Sequence, residues 1–106
     1  MIIAIDFDGT LVENEWPKIG KPKMEIINKV KELQAQNVEF ILWTCREGKD
    51  LLEALNFLDK LDLHFNYINC NPDYRIKQFN GNDCRKIGAD YYVDDKALSL
   101  EDFVNL

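Results

Sequence analysis

Ile2 to Trp16 reads IIAIDFDGTLVENEW, and this stretch decides the fold. Its first four residues, Ile2 to Ile5, are apolar and rich in β-branched side chains, as expected of a strand covered on both faces. An acidic pair, Asp6 and Asp8, follows directly, and Gly9 and Thr10 come next. Carboxylates resist burial and resist one another's company. Setting two of them at the end of the most buried strand calls for a chemical reason.

The pattern downstream alternates. "WPKIGKP" carries two proline-flanked turns and reads as loop. From Pro22, which suits a first helical turn, Ile26 or Ile27, Val30 and Leu33 recur at helical spacing, and Asn37 closes that helix. Val38 to Trp43 is a second strand. Leu51, Leu55, Leu58 and Leu61 mark a second amphipathic helix from Gly48 to Lys60. Phe65–Asn69 and Tyr91–Val93 are the third and fourth strands. Between them, Asn71 to Gly88 reads as loop with one or two short helical turns. Ser99 begins a short final helix, with Asp102 where a capping box would carry Glu. Strands alternating with helices predict an α/β fold, a three-layer Rossmann-like parallel sheet with helices on both faces, formed by residues 1–106 as a single domain.

Size and charge narrow the function. One compact domain fits in 106 residues. The net charge is -6 and no Lys/Arg block stands out, so electrostatic binding of long nucleic acid is not expected. Cys45, Cys70 and Cys84 form an odd set without C-x-x-C spacing, which argues for a reducing compartment. No apolar run approaches a membrane span, and Met1 leads straight into a strand, so a cytoplasmic setting is the expectation.

In parallel sheets, ligands sit at the carboxyl ends of the strands. Asp6 and Asp8 end strand one, Thr44 ends strand two, and Asp94 and Asp95 end strand four. Four aspartates at one edge repel unless a cation sits among them. Oxygen donors without a useful histidine favour Mg²⁺ over zinc. Such a cation, with Lys86, Arg46 and the Thr44 hydroxyl nearby, makes an anion site, and phosphate is the obvious anion. Alternation puts Asp6 and Asp8 on one side, so that one can attack phosphorus while the other moves a proton. Gly9 lets the backbone turn sharply with its N–H close to phosphoryl oxygens, and Thr10 holds the loop by a side-chain hydrogen bond.

These motifs, D-F-D-G-T at Asp6–Thr10, a hydrophobic strand ending in Thr44, then Lys86 and D-D at Asp94–Asp95, resemble the four ordered motifs of the haloacid dehalogenase superfamily. The resemblance covers nearly the whole chain. It implies a phosphatase in which Asp6 forms an aspartyl-phosphate and Asp8 protonates the leaving group, then activates water. It implies that Thr44 and Lys86 hold the phosphoryl group. It further implies that Asp6, the main-chain carbonyl of Asp8, and Asp94, with Asp95 through water, hold Mg²⁺. Lys77 is the rival for the lysine of the third motif. The gaps Glu13–Lys21 and Cys70–Arg85 are too short for a cap domain, so the resemblance is to the capless type, with an open site for a small phosphorylated substrate. Such a site can also borrow a neighbouring copy as lid, which makes a homo-oligomer an expectation.

Blander readings stand beside these. Cys45 falls inside the phosphate-binding segment Thr44–Arg46 but lacks a basic partner, so it reads as packing and not as a nucleophile. Arg46 is a phosphate contact or a surface partner of Glu47 or Asp50. His64 lies near the amino end of strand three and reads as a loop residue. Trp16 either covers the site or docks on the sheet edge. A receiver-type signalling domain shares the chemistry, but its phosphorylated Asp ends strand three, where this chain has Asn69.

Overall fold

The computed structural model describes residues 1–106. In chain order its elements are β1 (Ile2–Ile5), β2 (Val12–Glu15), β3 (Lys18–Pro22), α1 (Met24–Ala35), β4 (Glu39–Leu42), α2 (Gly48–Lys60), β5 (Tyr67–Ile68), α3 (Asp73–Gln78), β6 (Tyr91–Val93) and α4 (Leu100–Val104). Four strands form a parallel sheet in the order β5-β4-β1-β6, with Ile3 opposite Phe40 on one side and Tyr91 on the other. All four residues of β1 are buried, as its composition requires.

Topology explains where the layers go. The first two crossovers, β1–α1–β4 and β4–α2–β5, step in one direction, so right-handed connections put both helices on the same face. There Ile27 and Val30 of α1 and Ala54 and Leu58 of α2 bury against Ile3, Ile5, Phe40 and Leu42. The third connection reverses direction to reach β6 on the far side of β1, and it crosses the opposite face. That layer is thin. Ile87 covers Ile2, Ala4 and Ile41, and Tyr74 of α3 donates from its hydroxyl to Glu39 Oε1 at 2.7 Å. The reversal falls between β1 and β6, the crevice where open α/β sheets hold their ligands.

Several boundaries depart from the sequence reading. The segment read as loop around "WPKIGKP" is instead an antiparallel hairpin, β2 with β3, in which Pro22 pairs with Val12. Pro22 therefore ends a strand, and α1 starts at Met24. Asn37 does close α1, in the left-handed region at φ 66°, where a helix C-terminus favours Gly or Asn. β5 is only two residues long, because Asn69 turns left-handed at φ 54° directly after it. Ser99 caps α4 by accepting from the Asp102 N–H at 3.0 Å. No helix is long and apolar enough to cross a membrane.

Candidate active site

Three side chains converge where β1 and β6 end. Carboxylate oxygens of Asp6, Asp94 and Asp95 all lie within 4.8 Å of one another. Their strands are bonded directly beyond the last paired residues, for the Asp6 N–H donates to Val93 O at 3.0 Å. Burial pushes the Asp6 carboxyl up to about 6; the Phe7 backbone N–H opposes this, and the charges of Asp94, Asp95 and Asp8 add to it. Such a carboxylate, together with two others, offers the oxygen donors that a hard cation would take. Mg²⁺ fits these residues.

The loop after Asp6 is built tightly around Asp95. Gly9 has φ 87°, and a Cβ there would run into the Asp95 carboxylate, so only glycine serves. Thr10 Oγ1 accepts from the Asp95 N–H at 3.0 Å, which binds the first acidic loop to the second. Lys23 Nζ donates to Gly9 O at 2.8 Å and ties the same loop to the start of α1.

Asp8 does not join the carboxylate cluster. Its two oxygens accept from Arg46 Nε and Nη2, both at 2.8 Å, in a bidentate pair. The guanidinium thus holds the Asp8 carboxylate apart from the other acids, whereas the ligand expected from Asp8 is its main-chain carbonyl. Arg46 itself is 1% exposed, which corrects its reading as a surface partner of Glu47 or Asp50. Its affinity for the proton is raised first by the hydrogen bond to Asp8, against burial.

Thr44 ends β4 as expected, and Asn69 holds it. The Asn69 amide accepts from Thr44 N–H at 2.8 Å and donates to Thr44 O at 2.9 Å. Thr44 Oγ1 accepts from the Arg46 N–H at 3.1 Å, which leaves its hydroxyl proton free to donate. Asn69 was missed as a site residue; its one signal was an Asn at a strand end. A cavity of about 310 Å³ opens here, lined by Asp6, Asp8, Asn14, Trp16, Thr44, Cys45, Arg46, Asp94 and Lys96. Trp16 lines the cavity with its ring against the Arg46 guanidinium, and Cys45 is exposed in the wall.

Lys86 does not line this cavity. Its ammonium lies 5.9 Å from the centre of the Tyr92 ring, and the lysine in the lining is Lys96. Lys77 lies on α3, on the thin layer. Asn14 and Lys96 join the site without a signal in the sequence, Asn14 from β2, the first strand of the hairpin.

A family model for haloacid dehalogenase-like hydrolases matches residues 3–103. The chain belongs to the haloacid dehalogenase-like hydrolases. A solved structure described as a conserved protein coded by a locus from Bacteroides thetaiotaomicron is similar to this hydrolase, with 36% identity and a TM-score of 0.81. The alignment covers 92% of this chain and 78% of that one. No curated protein matches. The Rossmann-like sheet expected from the motifs is the fold of this hydrolase, and no connection in it is long enough to fold as a cap.

Proposed function

We propose that this haloacid dehalogenase-like hydrolase is a Mg²⁺-dependent phosphatase that cleaves small phosphomonoesters through an aspartyl-phosphate on Asp6. The observation that carries the reading is the division of the acids: Asp6, Asp94 and Asp95 converge within 4.8 Å, while Asp8, two residues from Asp6, is held apart by Arg46. Asp6, Asp94 and Asp95 would hold Mg²⁺, together with the main-chain carbonyl of Asp8. The ion, when bound, screens the negative charge of nucleophile and phosphoryl group.

The protein's own groups do the rest. An Asp6 oxygen attacks phosphorus, and the bond from phosphorus to the leaving oxygen breaks. Asp8 supplies the proton that this oxygen takes up. Its two oxygens have lone pairs to spare beyond those that accept from Arg46. Asp8 then takes a proton from water as the water attacks the aspartyl-phosphate, which frees Asp6 and inorganic phosphate. Thr44 donates its hydroxyl proton to a phosphoryl oxygen, and Lys86, on a flexible stem, supplies the positive charge. A reducing, cytoplasmic setting suits the three free cysteines.

Phosphoenzyme trapping tests the proposal. With a labelled aryl phosphate, whose leaving group needs no proton, Asp8→Asn should accumulate label on the protein, because only the second step needs the base. Asp6→Asn should take up none. Label on Asp6→Asn at wild-type level would overturn the assignment.

A further inference from the structure

Arg46 is a buried cation with no role in the chemistry just described. A charge this deep is costly unless fully engaged, and Arg46 is 1% exposed. Nε and Nη2 clamp both oxygens of Asp8 at 2.8 Å. Nη1 donates to Asp50 O at 3.3 Å, on the first turn of α2. Nη2 also faces Pro17 O at 3.3 Å and Lys18 O at 3.2 Å, in the β2–β3 hairpin. The Phe7 ring lies 5.1 Å from the guanidinium carbon and the Trp16 ring 4.8 Å. All three nitrogens are engaged, and two aromatic rings flank the group. Such a guanidinium is poorly placed to bind a phosphoryl group and well placed to fix a neighbour.

We propose that Arg46 is the positioning residue of the proton-transfer step: it fixes the Asp8 carboxylate and couples it to the hairpin through Trp16, Pro17 and Lys18. This rests on the phosphatase reading of the same site. The bidentate pair sets the plane of the carboxylate and keeps it out of the cluster formed by Asp6, Asp94 and Asp95. Cation binding and proton transfer are thereby assigned to different acids. A lysine at this position would keep the charge but lose the planar fork, leaving Asp8 free to turn toward the cluster.

The experiment compares leaving groups in a folded Arg46→Lys variant. On an alkyl phosphate, which needs the Asp8 proton, kcat should fall about a hundredfold, the lower range for a lost general acid. On an aryl phosphate, the burst of leaving group should persist and phosphoenzyme should accumulate. In a cycle with Asp8→Asn, the double variant should be no slower on the alkyl ester than Asp8→Asn alone, since both act through one group. Equal losses on both esters, or additive losses in the cycle, would overturn the inference and make Arg46 a phosphate contact or a purely structural one. If Arg46→Lys fails to fold, Trp16→Leu keeps the Asp8 pair while removing one flanking ring, and the same contrast between esters, in weaker form, is expected; equal losses there overturn the inference as well. Absence of turnover of any phosphomonoester by the wild-type protein with Mg²⁺ would overturn the phosphatase reading itself, and this inference with it.

Discussion

Lys86 and Lys96 stand on either side of the paired aspartates in sequence, yet they meet different surroundings. Lys86 lies over the Tyr92 ring, whereas Lys96 lines the acid cavity and its N–H donates to Asp94 Oδ1 at 2.9 Å. Both are exposed, so replacing either should leave the fold intact. Loss of a cation that stabilises the phosphoryl oxygens costs about 10²–10³ in rate. We expect that loss for Lys86→Ala, read as kcat on an aryl phosphate. Lys96→Ala should stay within about tenfold, an effect of ~1.4 kcal/mol, with the change mainly in KM. Lys77→Ala should have no effect. A dead Lys96→Ala with an active Lys86→Ala would move the phosphoryl-binding role to Lys96. The aspartates themselves were legible as single residues, because a carboxylate at the end of an apolar strand has no packing use. Arg46 was legible as a residue but not in its role, since burial and bidentate pairing belong to residues 38 positions apart.

At the scale of elements, the hairpin β2–β3 shows where reading from sequence stops. VENE and KIGKP lack the alternation of a half-buried strand, and most of their residues face solvent. The ribbon is held by backbone bonds and by a few buried points such as Val12 and Gly20. The helices, by contrast, were legible because α1 and α2 each bury one stripe against a sheet. Gly20 tests the hairpin's part in the site. A Cβ there would meet the backbone of Glu13, which no side-chain rotation can relieve. Gly20→Val should push β3 from β2 and destabilise the protein by about 1–3 kcal/mol, measured as the midpoint of urea unfolding. Faster hydrogen exchange should be concentrated in residues 12–22. An unchanged midpoint would mean that the hairpin yields without cost.

For the whole molecule, the acid cluster should link stability to pH and, on the proposed function, to metal. The Asp6 carboxyl, at about 6, binds its proton more tightly when folded than when unfolded. Its contribution is therefore fully present below about pH 4, the unfolded value, and is lost as pH rises through about 6. The metal-free protein should thus lose melting temperature across that window. Asp6→Asn, which cannot ionise, should melt higher than wild type at pH 8 without metal and equal to it near pH 4. Mg²⁺ should raise the melting temperature of the wild type at pH 8 by linkage and that of Asp6→Asn much less. Calorimetry that finds no Mg²⁺ binding at millimolar concentration would remove the metal from the proposal.

Local chemistry in the chain was enough to determine the parallel α/β sheet and the sheet edge at which the aspartates gather. Each rests on a short-range rule: apolar runs pair into buried strands, helical stripes cover them, and acids at strand ends lie at the carboxyl edge. Tertiary structure alone decided which acids converge and which is held apart. That division depends on Arg46 reaching Asp8 at 2.8 Å and on a hairpin whose strands carry no periodic signal. Both are contacts between segments distant in sequence, and their energies depend on burial, which exists only after the chain has folded.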